Sequence, residues 1–422
     1  MLQKIKQELK AGRHLLQFGF LKTLGQGLGM MAPLVIAKFF SEESFGSYVL
    51  ARMVIFFFVS LLLASSQTPF IVYANQERTQ TGKINKSLSI QAAFLGISII
   101  LFAVLTVVLN TSIQSFAEIS FIDVLFMCVG FVGIALKTFL CNLFMATGER
   151  IKNSFAELVF GVIVLGIIVL LCLTGIIRLR TVFLTYFISA IGTFLIFIRF
   201  IDFSQLLPLE FDRQYFKNIF DFTKWAMFGA TALYLVNWVD NIILRAFNTS
   251  LGDIGSYGLA YQIFKGLVML TYVLNAYFLP FISEHINNTD KIRAYLFSKR
   301  PKILFAGMVG LVLVFLCVPP FFRLFYKDRY QESVLILRIL LFGGAIALYN
   351  SFYIPLINAL KEYRFIQTLN VVHISLKVLL SLALIPAFGL KGAAIATVGS
   401  YLCKAVTIEV WFRLRLRGKL HV

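Results

Sequence analysis

Long apolar runs separated by short polar segments dominate the chain. A helix that crosses a membrane needs about 20 mostly apolar residues, and runs of that length recur from one end of the sequence to the other. The pattern predicts an all-α polytopic membrane protein with twelve spans. Their approximate bounds are 15–37, 47–75, 87–109, 120–147, 153–174, 181–201, 218–245, 256–283, 303–322, 334–360, 366–386 and 392–412.

The two halves of the chain repeat each other. A Gly-Ser-Tyr motif at 46–48 recurs at 255–257, an offset of 209, and Pro69 is followed by Pro280 at an offset of 211, half of 422. We predict two six-helix lobes related by a parallel internal repeat. Spans 1–6 form the lobe at 1–201, a cytoplasmic linker occupies 202–217, and spans 7–12 form the lobe at 218–422. Parallel repeats of this kind place a substrate site where the halves meet.

Composition and charge agree with a membrane protein. Hydrophobic residues make up 59% of the chain and charged residues only 14%, whereas soluble domains carry about 25% charged residues. If the N-terminus is cytoplasmic, the inside segments hold 23 Lys and Arg and the outside loops hold 8. This positive-inside bias predicts that both termini are cytoplasmic. It also explains the net charge of +19 without nucleic-acid binding.

Cations inside the predicted spans are the candidate chemistry. Each would cost about 2.5–3.5 kcal/mol at a lipid-facing midplane, so we predict that they line a shared hydrated interior that binds an anion. A snorkelling lysine near a span end and a purely structural role remain the alternatives. The six deep cations are Lys22, Arg52, Lys137, Lys265, Lys377 and Lys404.

Two further in-span residues are candidates for coupling transport to an ion. Asp240 is counted here as the one clearly internal carboxylate, and burial raises the pKa of such a group towards proton coupling. Alternatively, Asp240 pairs with Arg245 or with another cation of the same lobe. His373 shares a helix face with Asn370 and Lys377, which fits a proton relay, a sugar contact or an interhelical hydrogen-bond cluster.

Three segments resemble hallmarks of the multidrug/oligosaccharidyl-lipid/polysaccharide exporter (MOP) superfamily. They are FGSYVLAR, DIGSYGLA and PAFGLKGAAIAT, at the second, eighth and last two spans. The chain looks most like the O-antigen and polysaccharide flippases, the Wzx-like branch. That resemblance implies export of undecaprenyl-diphosphate-linked oligosaccharide by alternating access, from the inner to the outer leaflet of the bacterial cytoplasmic membrane. It also implies a central cationic cavity, to which Lys22, Arg52 and Lys265 correspond by span and depth.

The expected partners follow from this resemblance. They are a lipid-linked anionic oligosaccharide, membrane lipid, H⁺ or Na⁺ as a coupling ion, and the polymerase and export machinery. We predict no cofactor, no metal site and no enzymatic activity, because no catalytic constellation occurs in the sequence. One alternative is a multidrug/cation antiporter of the same superfamily, which would need an acidic aromatic cavity. Another is a membrane-embedded glycosyltransferase or polymerase, which would need a large outside loop with catalytic carboxylates.

Overall fold

The computed structural model describes residues 2–286, 288–327 and 329–415, and throughout them the regular structure is helical. The first half contains α1 (Leu2–Phe39), α2 (Glu42–Phe58), a π-helical turn (Val59–Ala64), α3 (Ser65–Thr81), α4 (Asn85–Val108), α5 (Asn110–Ala117), α6 (Phe121–Ala146), α7 (Arg150–Leu173) and α8 (Leu179–Phe197). The second half contains α9 (Arg213–Ala246), α10 (Leu251–Glu284), α11 (Thr289–Ala294), α12 (Arg300–Tyr326), α13 (Gln331–Asn350), α14 (Ile354–Ala359) and α15 (Tyr363–Arg415). The all-α membrane fold is therefore confirmed.

Within the described ranges, eleven helical stretches are long and apolar enough to cross a membrane. The last of them, at Arg364–Leu414, has 51 residues. At 1.5 Å per residue it would be more than twice as long as the hydrocarbon core of a bilayer is thick, which is about 30 Å, so it has the length of two spans. Counted in this way, the described residues contain twelve stretches that could span a membrane, in agreement with the hydropathy pattern.

The two spans of α15 form a hairpin around Gly389. This glycine has φ 55° and ψ −130°, a conformation that breaks the helix and that side chains rarely allow. A Cβ on Gly392 would lie 2.2 Å from the carbonyl oxygen of Leu384, so the chain reverses closely upon itself. Further from the turn, His373 Nε2 lies 3.2 Å from Ser400 Oγ. The Pro-x-x-Gly-x-x-Gly sequence at 386–392 thus makes a tight helix–helix turn.

Two compact units make up the chain. One comprises Met1–Phe40 and Ser47–Tyr234, and the other comprises Ser41–Gly46 and Leu235–Val422. Two helices therefore contribute to both units: α2 gives its first turn to the second unit, and α9 divides after Tyr234.

In the first unit, α1 and α7 approach closely through glycines. A Cβ on Gly25 would lie 2.9 Å from the backbone nitrogen of Leu158, and one on Gly161 would lie 3.1 Å from the carbonyl oxygen of Gly25. Small residues let helix backbones come this near in membranes. This crossing fixes how the side chains on either side of the glycines meet.

In the second unit, the repeated Gly-Ser-Tyr motifs meet each other at their glycines. A Cβ on Gly46 would lie 1.9 Å from the carbonyl oxygen of Leu251, and a Cβ on Gly255 would lie 2.3 Å from that of Glu42. The first turn of α2 and the first turn of α10 are therefore in backbone contact. Glu42 Oε1 also accepts the N–H of Tyr330 at 2.6 Å, which anchors the α2 turn to its unit.

Several segments differ from the hydropathy reading. The predicted linker at 202–217 is helical from Arg213 onward, because the Asp212 carboxylate accepts the N–H groups of Gln214 and Tyr215 and caps α9. The Tyr215 N–H and the Lys86 ammonium hold the pKa of Asp212 below its ordinary value. The basic segment 284–302, read as a loop, contains α11 and a π-helical turn at Tyr295–Lys299. The short helix α5 was not predicted.

Candidate functional site

A lysine–glutamate–lysine cluster lies between three helices of the first unit. Lys22 of α1 places its Nζ 3.3 Å from Glu157 Oε2 on α7, and Lys137 of α6 places its Nζ 3.1 Å from Glu157 Oε1. The side chains are 33% exposed for Lys22, 19% for Lys137 and 16% for Glu157. Each carboxylate oxygen thus receives one ammonium, and the cluster keeps a formal charge of +1.

The glycine crossing of α1 and α7 builds this cluster. Lys22 lies three residues before Gly25, and Glu157 lies four residues before Gly161, so both charged residues occupy the faces that meet. One turn earlier on α7, Asn153 contributes its Oδ1 at 3.5 Å from Lys22 Nζ. Asn153 is itself held by donating to the carbonyl of Cys141 at 2.7 Å. The Lys22 side chain is therefore positioned by helix packing and not by extension towards the membrane surface.

A second polar cluster lies in the other unit and centres on Asp240 of α9. Its Oδ2 accepts from the Tyr257 hydroxyl at 2.6 Å, the Thr397 hydroxyl at 2.9 Å and the Lys377 ammonium at 2.9 Å. Its Oδ1 accepts from the Ser381 hydroxyl at 2.8 Å. Because Ser381 and Thr397 belong to the two arms of α15, the carboxylate ties that hairpin to α9 and α10.

The ammonium of Lys377 is bonded as fully as its carboxylate partner. Besides Asp240, it donates to the carbonyl of Val236 at 2.7 Å and contacts the Tyr261 hydroxyl at 3.5 Å. The side chains of Lys377 and Asp240 are only 1% and 2% exposed. Of the two sequence alternatives for Asp240, the structure shows pairing with a cation, and that cation is Lys377.

Lys265 and Arg52 contact aromatic rings. Lys265 Nζ lies 5.0 Å from the Trp238 ring centroid and 5.5 Å from that of Tyr261. The Arg52 guanidinium lies 5.0 Å from the Phe56 ring centroid. Rings of this kind stabilise a cation by about 0.5–2 kcal/mol. Both side chains are half-buried.

His373 and Lys404 lie on opposite arms of the α15 hairpin. His373 is buried, bonds Ser400 Oγ and packs edge-on against the Tyr401 ring at 5.1 Å between centroids. Lys404 is half-buried. Of the polar face at 370, 373 and 377, His373 and Lys377 are therefore used in contacts between helices of this unit, whereas Asn370 is exposed.

The sequence analysis missed Glu157, and its count of one internal carboxylate was wrong. Glu157 lies only seven residues into α7, next to the charged Arg150 and Lys152, so it reads as part of a polar span end. The structure instead turns it towards two in-span lysines. Its spacing of four residues from both Asn153 and Gly161 was the available signal.

The two clusters differ in the charge they leave. Glu157 pairs with two lysines, so the Lys22–Glu157–Lys137 cluster has a formal charge of +1. Asp240 pairs with Lys377, and that pair is neutral. No group of three or more His, Cys, Asp or Glu that could hold a metal occurs in the described residues. The arrangement suits an anionic ligand better than a cationic one.

Comparison with known proteins identifies a family and a partial relative. A family described as "Polysaccharide biosynthesis protein" matches residues 35–335. An uncharacterized membrane protein of Methanocaldococcus jannaschii is 23% identical over 210 residues, which cover 49% of this chain and 41% of that protein. The chain therefore spans less than half the length of this relative.

Solved structures share the fold at low sequence identity. The lipid II flippase MurJ in an inward closed conformation superposes with a TM-score of 0.77 at 14% identity, covering 94% of this chain and 87% of the flippase. An inward-facing multidrug resistance MATE family transporter of the MOP superfamily gives 0.73 at 16% identity, with coverage of 96% and 95%. These likenesses confirm the predicted fold class, which is MATE-like. The family match covers well over half of the chain, so the chain belongs to the family described as "Polysaccharide biosynthesis protein".

Proposed function

We propose that the protein is a flippase that moves an undecaprenyl-diphosphate-linked oligosaccharide, the repeat unit of an O-antigen or a related polysaccharide, from the inner to the outer leaflet. In this proposal, the protein lies in the bacterial cytoplasmic membrane, with both termini on the cytoplasmic side. Transport proceeds by alternating access, and the diphosphate is bound by the in-span cations Lys22, Arg52, Lys137, Lys265 and Lys404. H⁺ or Na⁺ is the coupling ion, with His373 as the coupling candidate. Lys377 and Asp240, which the sequence also offered for these two roles, are assigned a structural role because they are sealed in a pair with each other.

The observation that carries the proposal is the charge of the Lys22–Glu157–Lys137 cluster. Two ammoniums share one carboxylate, so a net positive charge lies among apolar helices, where an isolated charge is unfavourable. A phosphate would balance that charge. In a member of a polysaccharide biosynthesis family with a transporter fold, a sugar linked to lipid by diphosphate is the anion that fits both facts.

The same observation disfavours the antiporter of cationic drugs. Such a transporter needs a carboxylate that can accept a cationic substrate, whereas Glu157 and Asp240 are both already paired with lysines. A glycosyltransferase or polymerase is disfavoured by the short polar segments between helices.

Reconstituted vesicles test the proposal. Purified protein is placed in liposomes that carry a fluorescent undecaprenyl-diphosphate oligosaccharide in both leaflets, and a membrane-impermeant quencher is added. We expect nearly all of the fluorescence to become accessible, against about half in protein-free liposomes. Lys22→Ala, Arg52→Ala and Lys265→Ala should each slow this exchange at equal protein density.

Two outcomes would contradict the proposal. Equal exchange of a fluorescent phosphatidylcholine would show general lipid scrambling. Wild-type protein that leaves the oligosaccharide unmoved while accumulating a cationic dye against a proton gradient would favour the antiporter.

A further inference from the structure

We propose that Glu157 is a resident counter-anion: it occupies the position between Lys22 and Lys137 that the substrate's diphosphate takes, and the diphosphate displaces it. This inference rests on the proposed function and adds a role for a residue whose charge has the same sign as that of the ligand. In this inference, the lysine–glutamate–lysine cluster is a binding site, and Glu157 competes with the ligand for its two lysines.

The hydrogen bonding of Glu157 fits a replaceable partner. A carboxylate offers about four acceptor positions, and the structure gives Glu157 one ammonium at each oxygen, at 3.1 and 3.3 Å. Asp240, by comparison, receives four donors at 2.6–2.9 Å. A diphosphate has more oxygens and more charge than a carboxylate, so it can bond both ammoniums more fully than Glu157 does.

The exposure of the cluster also fits a replaceable partner. With 33%, 19% and 16% of their side-chain surfaces exposed, its three members can be reached by a ligand. The backbone around them is held by the close contact of Gly25 and Gly161. A ligand can therefore exchange with Glu157 by side-chain rotation, while α1 and α7 keep their packing.

A counter-anion of this kind has a clear effect on the transport cycle. It lowers the affinity for the substrate, because binding must first break two ion pairs. It also speeds release, because the carboxylate takes back both lysines as the diphosphate leaves. Removing its charge should therefore tighten binding and slow turnover, whereas removing either lysine should weaken binding.

Charge variants of the full-length protein in detergent micelles test this inference. Two probes are titrated, undecaprenyl diphosphate in the micelle and inorganic pyrophosphate in solution, and the Kd is measured for each. Because a unit charge at contact distance acts strongly in a partly buried site, we expect Glu157→Gln to bind about tenfold more tightly than the wild type. Lys137→Gln should bind about tenfold more weakly, and the double variant Glu157→Gln/Lys137→Gln should return to near the wild-type Kd.

Glu157→Asp is the matched control. It keeps the charge and changes the packing, so its Kd should stay within about threefold of the wild type, while a purely structural role would make it behave as Glu157→Gln does. Tightening with both probes assigns the site to the diphosphate group, and tightening with the lipid alone assigns it to the lipid-linked form. An unchanged or weaker Kd for Glu157→Gln with both probes would overturn the inference.

The vesicle assay separates this inference from the proposed function. If wild-type protein exchanges the lipid-linked oligosaccharide and Glu157→Gln binds no more tightly, the flippase stands and the counter-anion is wrong. If the wild type moves no oligosaccharide, the proposed function fails whatever the Kd values are.

Discussion

Each unit contains a carboxylate that is paired with lysine, but the two carboxylates differ in their exposure and in the net charge of their clusters. Asp240 is 2% exposed, receives four hydrogen bonds and balances one lysine. Glu157 is 16% exposed and is shared between two lysines. The first arrangement is neutral and sealed, and the second is cationic and accessible.

The difference fits a structural role for the Asp240 cluster and the binding role that we propose for the Lys22–Glu157–Lys137 cluster. A buried ion pair is stable only when its remaining hydrogen-bonding groups are satisfied, and the Asp240 cluster meets that condition with groups from α9, α10 and α15. The Lys22–Glu157–Lys137 cluster retains charge and exposure, and we therefore propose it as the ligand site. On this proposal, a transport site is recognised by how few partners surround an in-span charge, and not by the charge alone.

The largest effect should come from Asp240→Ala. It leaves the Lys377 ammonium buried without its carboxylate, which typically lowers the free energy of unfolding by about 3–5 kcal/mol. We expect a much lower yield of folded protein and a large loss of stability in a detergent-denaturation titration. The double variant Asp240→Leu/Lys377→Met should recover much of that stability, because neither charge remains alone. A double variant as unstable as Asp240→Ala would contradict the sealed-pair interpretation.

Gly25→Ala should be the next largest. Its Cβ would meet the Leu158 backbone at 2.9 Å, so α1 must move away from α7, at a cost of about 2 kcal/mol. The displacement also separates Lys22 from Glu157 and should reduce oligosaccharide exchange. Gly27→Ala on the same helix is the control, since nothing lies within 4 Å of its Cβ. Equal exchange by the two alanine variants would show that the crossing does not position the lysine.

Tyr257→Phe should have a moderate effect that its repeat-related counterpart lacks. It removes a hydroxyl that donates to the Asp240 carboxylate at 2.6 Å, worth about 1.5 kcal/mol because the acceptor is charged. Tyr48→Phe removes a bond between two neutral hydroxyls, to Tyr186 at 3.2 Å, and should lower stability by about 0.5 kcal/mol. Denaturation of the two variants side by side measures the difference. Equal losses would mean that the charge on Asp240 adds nothing.

Lys137→Met should have the smallest effect on stability. Glu157 keeps its bond to Lys22, so the free energy of unfolding should fall by less than about 1 kcal/mol, while exchange of the oligosaccharide slows markedly. Lys377→Met, in the sealed cluster, should do the reverse and mainly destabilise the protein. If both lysines affected stability equally, the two clusters would not differ in kind.

Much of the fold could be predicted from the sequence, because each membrane span requires about 20 consecutive, mostly apolar residues and such runs are visible in the sequence. The bounds of α6, read as 120–147, agree with Phe121–Ala146 to one residue at each end. The start of α9 and the helical character of 284–302 were missed, because polar capping residues such as Asp212 carry no hydropathy signal.

The site was less predictable, because the role of each charged residue depends on partners that are distant in the chain. Lys22 and Glu157 are 135 residues apart in sequence, and Lys377 and Asp240 are 137 apart. Composition could identify the lysines as unusual. It could not show that one of them is neutralised within a sealed pair while two others share a single glutamate.

The glycine contact between α2 and α10 has a further consequence for substitutions in either helix. Gly46 meets Leu251 and Gly255 meets Glu42, and adding the repeat offset of 209 to 42 and 46 gives 251 and 255. Each copy of the motif thus faces the equivalent position of the other copy, as the subunits of a twofold-symmetric homodimer do. The repeated segment is therefore self-complementary, and a larger side chain at either glycine obstructs a contact that both copies share.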